Sequence, residues 1–155
     1  MLTSTCQRVK PCRRKCCLHE PDVEAPSAGD IVWCLFPEIP DIKPGPKPRP
    51  ALVMSVERRE DGDLVSVVYG TSRNLTRLKT GEVAITQTRH PAAYALAGLA
   101  YDTKFDFKVI VDLPWSDRYF KVPPLRPHGN TPKLGTLHAT VLRAVEVAYH
   151  AAASR

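Results

Sequence analysis

The stretch GDIVWCLF, residues 29–36, marks where the folded part of the chain begins. Gly29 and Asp30 form a turn signal, and the six apolar residues after them have the length of a buried strand. The segment before this stretch has no apolar periodicity. We therefore predict a flexible, basic, cysteine-containing tail at residues 1–28, followed by a single domain at residues 29–155.

Beyond residue 36 the sequence alternates between loops and short apolar runs. Fifteen prolines in 155 residues interrupt any long helix before residue 133. A semi-rigid loop is expected at residues 37–48, which contain five of the prolines. Residues 60–63 (EDGD) have the composition of a hairpin turn. Strands are predicted at residues 31–36, 51–56, 64–69, 82–86 and 104–113, with a last short one at residues 115–122.

Two helices are predicted in addition to the strands. Pro91 at a first helical position, with Gly98 just beyond the end, predicts a short helix through Leu96. Residues 136–152 contain no Gly or Pro, and apolar residues recur there at three- and four-residue spacing, so we predict a long helix with Thr136 as its N-cap. The resulting fold class is mostly β with α, a small antiparallel barrel with helices packed outside it.

The positive charge of the chain is unevenly distributed. The net charge is +6, but residues 1–19 carry five of these charges and no acidic residue. The rest of the chain is close to neutral, so the basic pI alone does not indicate a nucleic-acid partner. Within the domain, however, cations cluster in two loops that could together attract phosphate, namely Lys43, Lys47, Arg49, Arg73, Arg77 and Lys79.

The sequence also indicates where the protein is located in the cell. No apolar run approaches the roughly 20 residues of a membrane span, and no secretory signal is visible, so a soluble cytoplasmic protein is expected.

The tail contains four thiols and a histidine, but it lacks the CxxC spacing of compact zinc sites, and we predict no metal and no cofactor. Cys34 is predicted to be a buried structural thiol.

Five segments resemble the MazF/PemK/Kid family of toxins, in the family's order and spacing. The most specific is KPRPALV at residues 47–53, and the others are GDIVW at residues 29–33, GTS at residues 70–72, KFD at residues 104–106 and LG at residues 134–135 before the terminal helix. The resemblance covers about residues 29–152. It implies a homodimeric SH3-like barrel that cleaves single-stranded RNA without a metal ion, by attack of the 2′-hydroxyl on the adjacent phosphate. It also implies a cognate antitoxin that binds across the same groove.

The resemblance assigns catalytic roles to four residues. Arg49 would hold the phosphate through its two parallel donors, and Thr71 would donate a hydroxyl hydrogen bond to it. Lys104 and Asp106, two apart on a strand and therefore on one face, would be the acid and the base. Each has a structural alternative: a solvated or Asp41-paired arginine, ordinary turn chemistry at Thr71, and a cross-strand ion pair on an exposed face for Lys104 and Asp106.

Further residues are candidates for RNA binding outside the chemical step. They are Ser72, Lys47, Arg73, Arg77, Lys79 and, as a base-stacking aromatic, Trp115. The main alternative to a ribonuclease is a non-catalytic interaction module on the same barrel, which would bind protein or nucleic acid in the manner of a gyrase poison, because fold does not fix function. Convergence of Arg49, Thr71, Lys104 and Asp106 would favour the enzyme.

Overall fold

The computed structural model describes residues 23–124 and 130–154. Within these ranges the chain forms six strands and two helices. In chain order they are β1 (Asp30–Cys34), β2 (Arg49–Arg59), β3 (Gly62–Thr71), β4 (Glu82–Ile85), α1 (Pro91–Ala97), β5 (Thr103–Pro114), β6 (Lys133–Thr136) and α2 (Ala139–Ala153).

The six strands form one antiparallel sheet in the order β4-β5-β3-β2-β1-β6. The prediction of a mostly β fold with helices is therefore confirmed. The sheet is not closed by hydrogen bonds, because β4 and β6 are its two edges and do not pair with each other. Instead, α1 packs beside β6 and α2 packs against β4 and β5, and the two helices also contact each other. Helices therefore cover the short edges that a closed barrel would pair.

Alternation along the strands sends apolar side chains to both faces of the sheet. On one face, Ile31, Leu52 and Phe105 belong to a core cluster with Val141 and Val145 of α2. On the other face, a second cluster lies under the loops that follow β1 and β5, formed by Val32, Cys34, Phe36, Ala51, Val53, Val65, Val67, Leu113, Tyr119 and Phe120. The sheet is consequently the middle layer of the domain.

Both predicted helices are present, with a difference at the start of the second. α1 begins at Pro91 and ends before Gly98, which adopts the left-handed conformation (φ 66°) of a helix C-cap, as expected. The prediction that Thr136 caps the long helix was wrong. Thr136 pairs with Asp30 at the end of β6, and His138 is the N-cap of α2, its Nδ1 accepting a hydrogen bond from the Thr140 N–H at 3.2 Å.

The region after β5 also differs from the prediction. Residues 115–122 do not form a strand but a turn that meets β1 at a single bridge between Cys34 and Phe120. The Tyr119 and Phe120 N–H groups both donate to the Ser116 carbonyl, so this backbone is wound rather than extended. The strand that pairs with the outer side of β1 is β6, a four-residue segment that the sequence pattern did not indicate.

Part of the predicted tail contacts the domain. The Trp115 indole N–H donates to the Val23 carbonyl at 3.0 Å, and the Ser27 N–H donates to the Asp30 carboxylate at 2.9 Å. Residues 1–22, including the tail cysteines considered for zinc, lie outside the described residues. In the part of the chain that is described, no helix is both long and apolar enough to cross a membrane.

Candidate functional site

Polar side chains from four strands occupy one region of the sheet face that lies opposite the helices. The pairing register sets Lys104 of β5 opposite Thr71 of β3, and Asp106 opposite Tyr69. On the next pair of strands Tyr69 stands opposite Ala51, and continuing that register by two residues brings Arg49 level with Thr71. The structure therefore aligns three of the four predicted catalytic residues, Arg49, Thr71 and Lys104, in one row across the sheet.

Arg49 and Thr71 share a cavity of about 350 Å³, called here the Arg49–Thr71 cavity. Ser72 also lines it, whereas its remaining walls are largely apolar and include Leu99, Tyr101, Pro123 and Pro124. The lining of the cavity therefore combines a guanidinium and hydroxyl groups with a larger apolar surface. This composition fits a ligand with an anionic part and a flat apolar part.

Gly70 allows the two strands to approach closely beside this cavity. A Cβ built at Gly70 would collide with the Pro50 carbonyl oxygen and would lie 2.9 Å from the Phe105 ring. A side chain at this position would therefore push β3 away from β2, and with it Thr71 away from Arg49. The glycine of the GTS segment thus has a packing role that its appearance as a turn residue does not reveal.

The Thr71 hydroxyl can form a turn and still donate a hydrogen bond to a bound group. Its hydroxyl oxygen accepts a hydrogen bond from the Arg73 backbone N–H at 3.2 Å, which is ordinary turn chemistry. A hydroxyl group also carries a proton that it can donate. The turn contact fixes the position of the Thr71 oxygen, and the proton can be directed toward a group bound in the Arg49–Thr71 cavity.

Arg49 is held by an aromatic ring rather than by a carboxylate. Its guanidinium carbon lies 5.7 Å from the centre of the Tyr69 ring, a cation–π geometry. Among the described residues, the ion pairs involve other cations, and Asp41 instead accepts a hydrogen bond from the Lys43 N–H. The alternative in which Arg49 pairs with Asp41 is therefore wrong. The positive charge of Arg49 is not neutralised within the described structure.

A second cavity lies on the other side of Arg49. It measures about 490 Å³ and is called here the Arg49–Asp106 cavity, because Arg49 and Asp106 both line it together with Tyr69, Lys47 and Lys108. The Asp106 Oδ1 accepts a hydrogen bond from the Lys108 backbone N–H at 3.0 Å. Arg49 is thus the wall between the two cavities, and Asp106 faces the second of them.

Lys104 is buried in an ion pair with Glu82 of β4. Its ammonium donates to both carboxylate oxygens of Glu82, each at 3.0 Å, and the two side chains are only 7% and 6% exposed. Burial raises the pKa of Glu82, but hydrogen bonds from the Lys79 backbone N–H and the Lys104 ammonium outweigh it and hold the pKa below its usual value. The sequence-based alternative was a cross-strand ion pair on an exposed face. Lys104 does form a cross-strand ion pair, but the pair is buried and its partner is Glu82, which sequence reasoning missed.

Glu82 also stands directly opposite Asp106 in the register of β4 and β5. Two carboxylates on neighbouring strands would repel each other, and the Lys104 ammonium offsets that repulsion. The alternation along β4 (EVAI) indicates that Glu82 lies on the face opposite to Val83 and Ile85, where a polar neighbour is expected. Only the pairing of β4 with β5 identifies that neighbour.

The predicted RNA-binding residues separate into three groups. Ser72 lines the Arg49–Thr71 cavity and Lys47 lines the Arg49–Asp106 cavity, so both lie at the site. Arg73, Arg77 and Lys79 are exposed on the loop between β3 and β4. Trp115 is not brought together with the others, because its ring packs on Phe120 at 4.5 Å and lines a cavity with Asp63 and Asp117.

Neither a metal nor a reactive thiol is indicated at the site. Within the described ranges, no group of three or more His, Cys, Asp and Glu side chains could hold a metal ion. Cys34, predicted to be structural, is completely buried, and burial raises the pKa of its thiol to about 12. The side chains that line the two cavities supply a guanidinium, hydroxyls, ammonium groups and carboxylates.

Comparison with known proteins gives one match. A sequence model of the PemK-like, MazF-like toxins of type II toxin–antitoxin systems matches residues 27–148. No curated protein sequence matches at a significant level. The matched range includes every residue that lines the two cavities.

Proposed function

The chain belongs to the family of PemK-like, MazF-like toxins of type II toxin–antitoxin systems, and on that premise we propose that it is a metal-independent endoribonuclease acting on single-stranded RNA. The observation that supports this most directly is the meeting of Arg49 and Thr71 at one cavity, although they come from different strands. An unneutralised guanidinium beside a fixed hydroxyl is suited to a phosphate whose negative charge increases during the reaction.

The proposed reaction uses the RNA as its own nucleophile. The 2′-hydroxyl oxygen attacks the adjacent phosphorus, and the bond from phosphorus to the 5′-oxygen of the next nucleotide breaks. The products are a 2′,3′-cyclic phosphate and a free 5′-hydroxyl. Arg49 and Thr71 donate hydrogen bonds to the phosphate oxygens, which carry more negative charge in the transition state than in the substrate.

Proton transfer is assigned to the pair on β5. Asp106, on the wall of the second cavity, takes the proton of the attacking 2′-hydroxyl. Lys104 donates a proton to the leaving 5′-oxygen. Glu82 accepts hydrogen bonds from two of the three ammonium N–H groups, so the third N–H of Lys104 is left to donate to the leaving oxygen.

Partners and assembly follow from the family. We propose a cognate antitoxin that blocks the groove containing Arg49, a homodimer as the active form, and a cytoplasmic location. Exposed cations support an RNA substrate, since Lys47 at the Arg49–Asp106 cavity and the β3–β4 loop residues Arg73, Arg77 and Lys79 can contact phosphates along the strand. Such contacts contribute affinity without selecting a sequence.

The test compares the protein with its Arg49→Ala variant on a long single-stranded RNA in the presence of EDTA. We expect the unmodified protein to produce discrete fragments with 2′,3′-cyclic phosphate ends and the variant to produce none. Mapping these ends identifies the cleaved sequence. The absence of cleavage by folded protein on several RNAs would contradict the proposal and favour a non-catalytic interaction module.

A further inference from the structure

Tyr101 is an exposed aromatic residue at the candidate site that the proposed chemistry does not use. The residue is 74% exposed, whereas the phenylalanines and Tyr119 of the described domain are at most 5% exposed. It lines the Arg49–Thr71 cavity together with the residues proposed to hold the phosphate. An exposed ring beside a phosphate site is the usual arrangement where proteins stack an unpaired base.

The backbone at Tyr101 and directly after it is held by two hydrogen bonds. The buried Thr103 hydroxyl donates to the Tyr101 carbonyl at 2.9 Å, and the Asp102 carboxylate accepts a hydrogen bond from the Gln87 N–H at 2.8 Å. The ring is therefore presented by a segment anchored to the domain. A ligand that stacks on it loses little binding free energy to ordering the backbone.

The rest of the cavity matches a nucleotide better than an apolar side chain. Leu99, Pro123 and Pro124 provide apolar walls of the same cavity, whereas Arg49 and Thr71 provide polar groups. An apolar protein side chain would leave the Arg49 guanidinium without an anionic partner. A nucleotide fills both parts, because its base is flat and apolar on its faces and its phosphate is an anion.

We propose that Tyr101 is a base-stacking residue: the Arg49–Thr71 cavity binds an unpaired nucleobase on the Tyr101 ring, next to the phosphate held by Arg49. This inference rests on the proposed ribonuclease function and adds to it a subsite for one nucleotide. Tyr101 replaces Trp115 as the base-stacking candidate, because Trp115 packs on Phe120 whereas Tyr101 shares a cavity with Arg49.

The test measures binding of an RNA oligonucleotide that contains the mapped cleavage sequence with 2′-deoxyribose at the attacking position, so that it cannot be cleaved. We expect Tyr101→Ala to weaken binding roughly 5- to 150-fold, the range given by a stacking contribution of about 1–3 kcal/mol. Tyr101→Phe keeps the ring and should bind within about threefold of the unmodified protein. Tyr149→Ala is the matched control, because Tyr149 is a partly exposed tyrosine on α2 that lines neither cavity.

Abasic substitutions identify the stacked base. Removing each base of the oligonucleotide in turn should weaken binding to the unmodified protein most strongly at one position next to the cleaved phosphate. In Tyr101→Ala the same removal should have little further effect. Unchanged affinity of Tyr101→Ala, or an affinity loss that does not depend on which base is removed, would overturn this inference. If the unmodified protein still cleaves RNA, the proposed ribonuclease function would stand. A protein that neither cleaves nor binds RNA would overturn the proposed function as well.

Discussion

The Lys104 ammonium donates hydrogen bonds to both carboxylate oxygens of Glu82 at 3.0 Å, and the pair is almost completely buried between β4 and β5. A buried charge is tolerated when its partner is present and is costly when the partner is removed. Lys104 therefore stabilises the fold in addition to any part it has in catalysis. A loss of activity in a Lys104 variant does not by itself identify a catalytic residue.

Single and double substitutions of this pair separate the two roles. Glu82→Gln or Lys104→Met alone is expected to lower the free energy of unfolding by roughly 3–5 kcal/mol, because each leaves one buried charge unpaired. The double variant Glu82→Gln/Lys104→Met should recover most of that stability. Urea unfolding provides the measurement, and Glu57→Gln is the control, because the Glu57–Arg59 pair is exposed and its removal should change little.

The cleavage activity of the stable double variant then tests Lys104 directly. If Lys104 is the acid, the double variant should be folded and should still cleave RNA far more slowly than the unmodified protein, because its methionine cannot donate a proton. Single-turnover cleavage at equal concentrations of folded protein measures this. Recovery of cleavage together with stability would contradict the assignment of Lys104 as the acid.

The same pair predicts how stability depends on pH. The pKa of Glu82 is below its usual value in the folded protein, so its contribution to stability is complete above the unfolded-state pKa of about 4.3 and is lost as the pH falls through the folded-state pKa. Between pH 6 and pH 3 the unmodified protein should therefore lose more unfolding free energy than Glu82→Gln/Lys104→Met. Parallel losses in the two proteins would show that Glu82 does not contribute in this way.

Local patterns in the sequence were sufficient for much of the fold. The apolar runs predict β1 to β3, and Pro91 with Gly98 predicts both ends of α1, because these signals depend only on neighbouring residues. The missed strand β6 has only four residues, and its sequence (KLGT) has no clear strand pattern. It is a strand because it pairs with β1, a contact that the local sequence does not reveal. Thr136 was assigned as a cap because its residue type suits a cap, but its pairing with Asp30 keeps it in a strand.

The candidate site was predictable only in part. The KPRPALV and GTS segments identify Arg49 and Thr71, and the structure brings the two to one cavity. Glu82 is 22 residues from Lys104 in the chain, and no local pattern joins them. Tyr101 is even farther from Arg49 in sequence and reaches the same cavity only through the connection from α1 to β5. Contacts of this kind depend on strand register, which residue types alone do not specify.

The glycine beside the cavity gives a packing prediction. Gly70→Ala places a Cβ against the Pro50 carbonyl oxygen and the Phe105 ring, so we expect a loss of roughly 1–3 kcal/mol in unfolding free energy and slower cleavage, as Thr71 is moved away from Arg49. The control is Gly62→Ala at the β2–β3 turn. No atom lies within 4 Å of its added Cβ, and only its backbone conformation (φ 124°) is strained. Gly62→Ala should lose stability yet keep cleavage per folded molecule, and equal losses of cleavage in both variants would contradict the prediction.

The hydroxyl of Thr71 provides the most direct chemical test of the proposed site. Thr71→Val keeps the shape of the side chain but removes both the proton offered to the phosphate and the acceptor for the Arg73 N–H. Removing one donor to a developing negative charge typically slows the reaction by about 10²–10³-fold, and we expect a loss of that order in single-turnover cleavage. Thr71→Ser retains the hydroxyl and should stay within about tenfold of the unmodified rate. Affinity for the 2′-deoxy oligonucleotide should change less than the rate, because the donor acts mainly on charge that appears in the transition state. If Thr71→Val cleaves as fast as Thr71→Ser while both remain folded, the hydroxyl has only its turn-forming contact with Arg73, and Thr71 has no part in the chemistry.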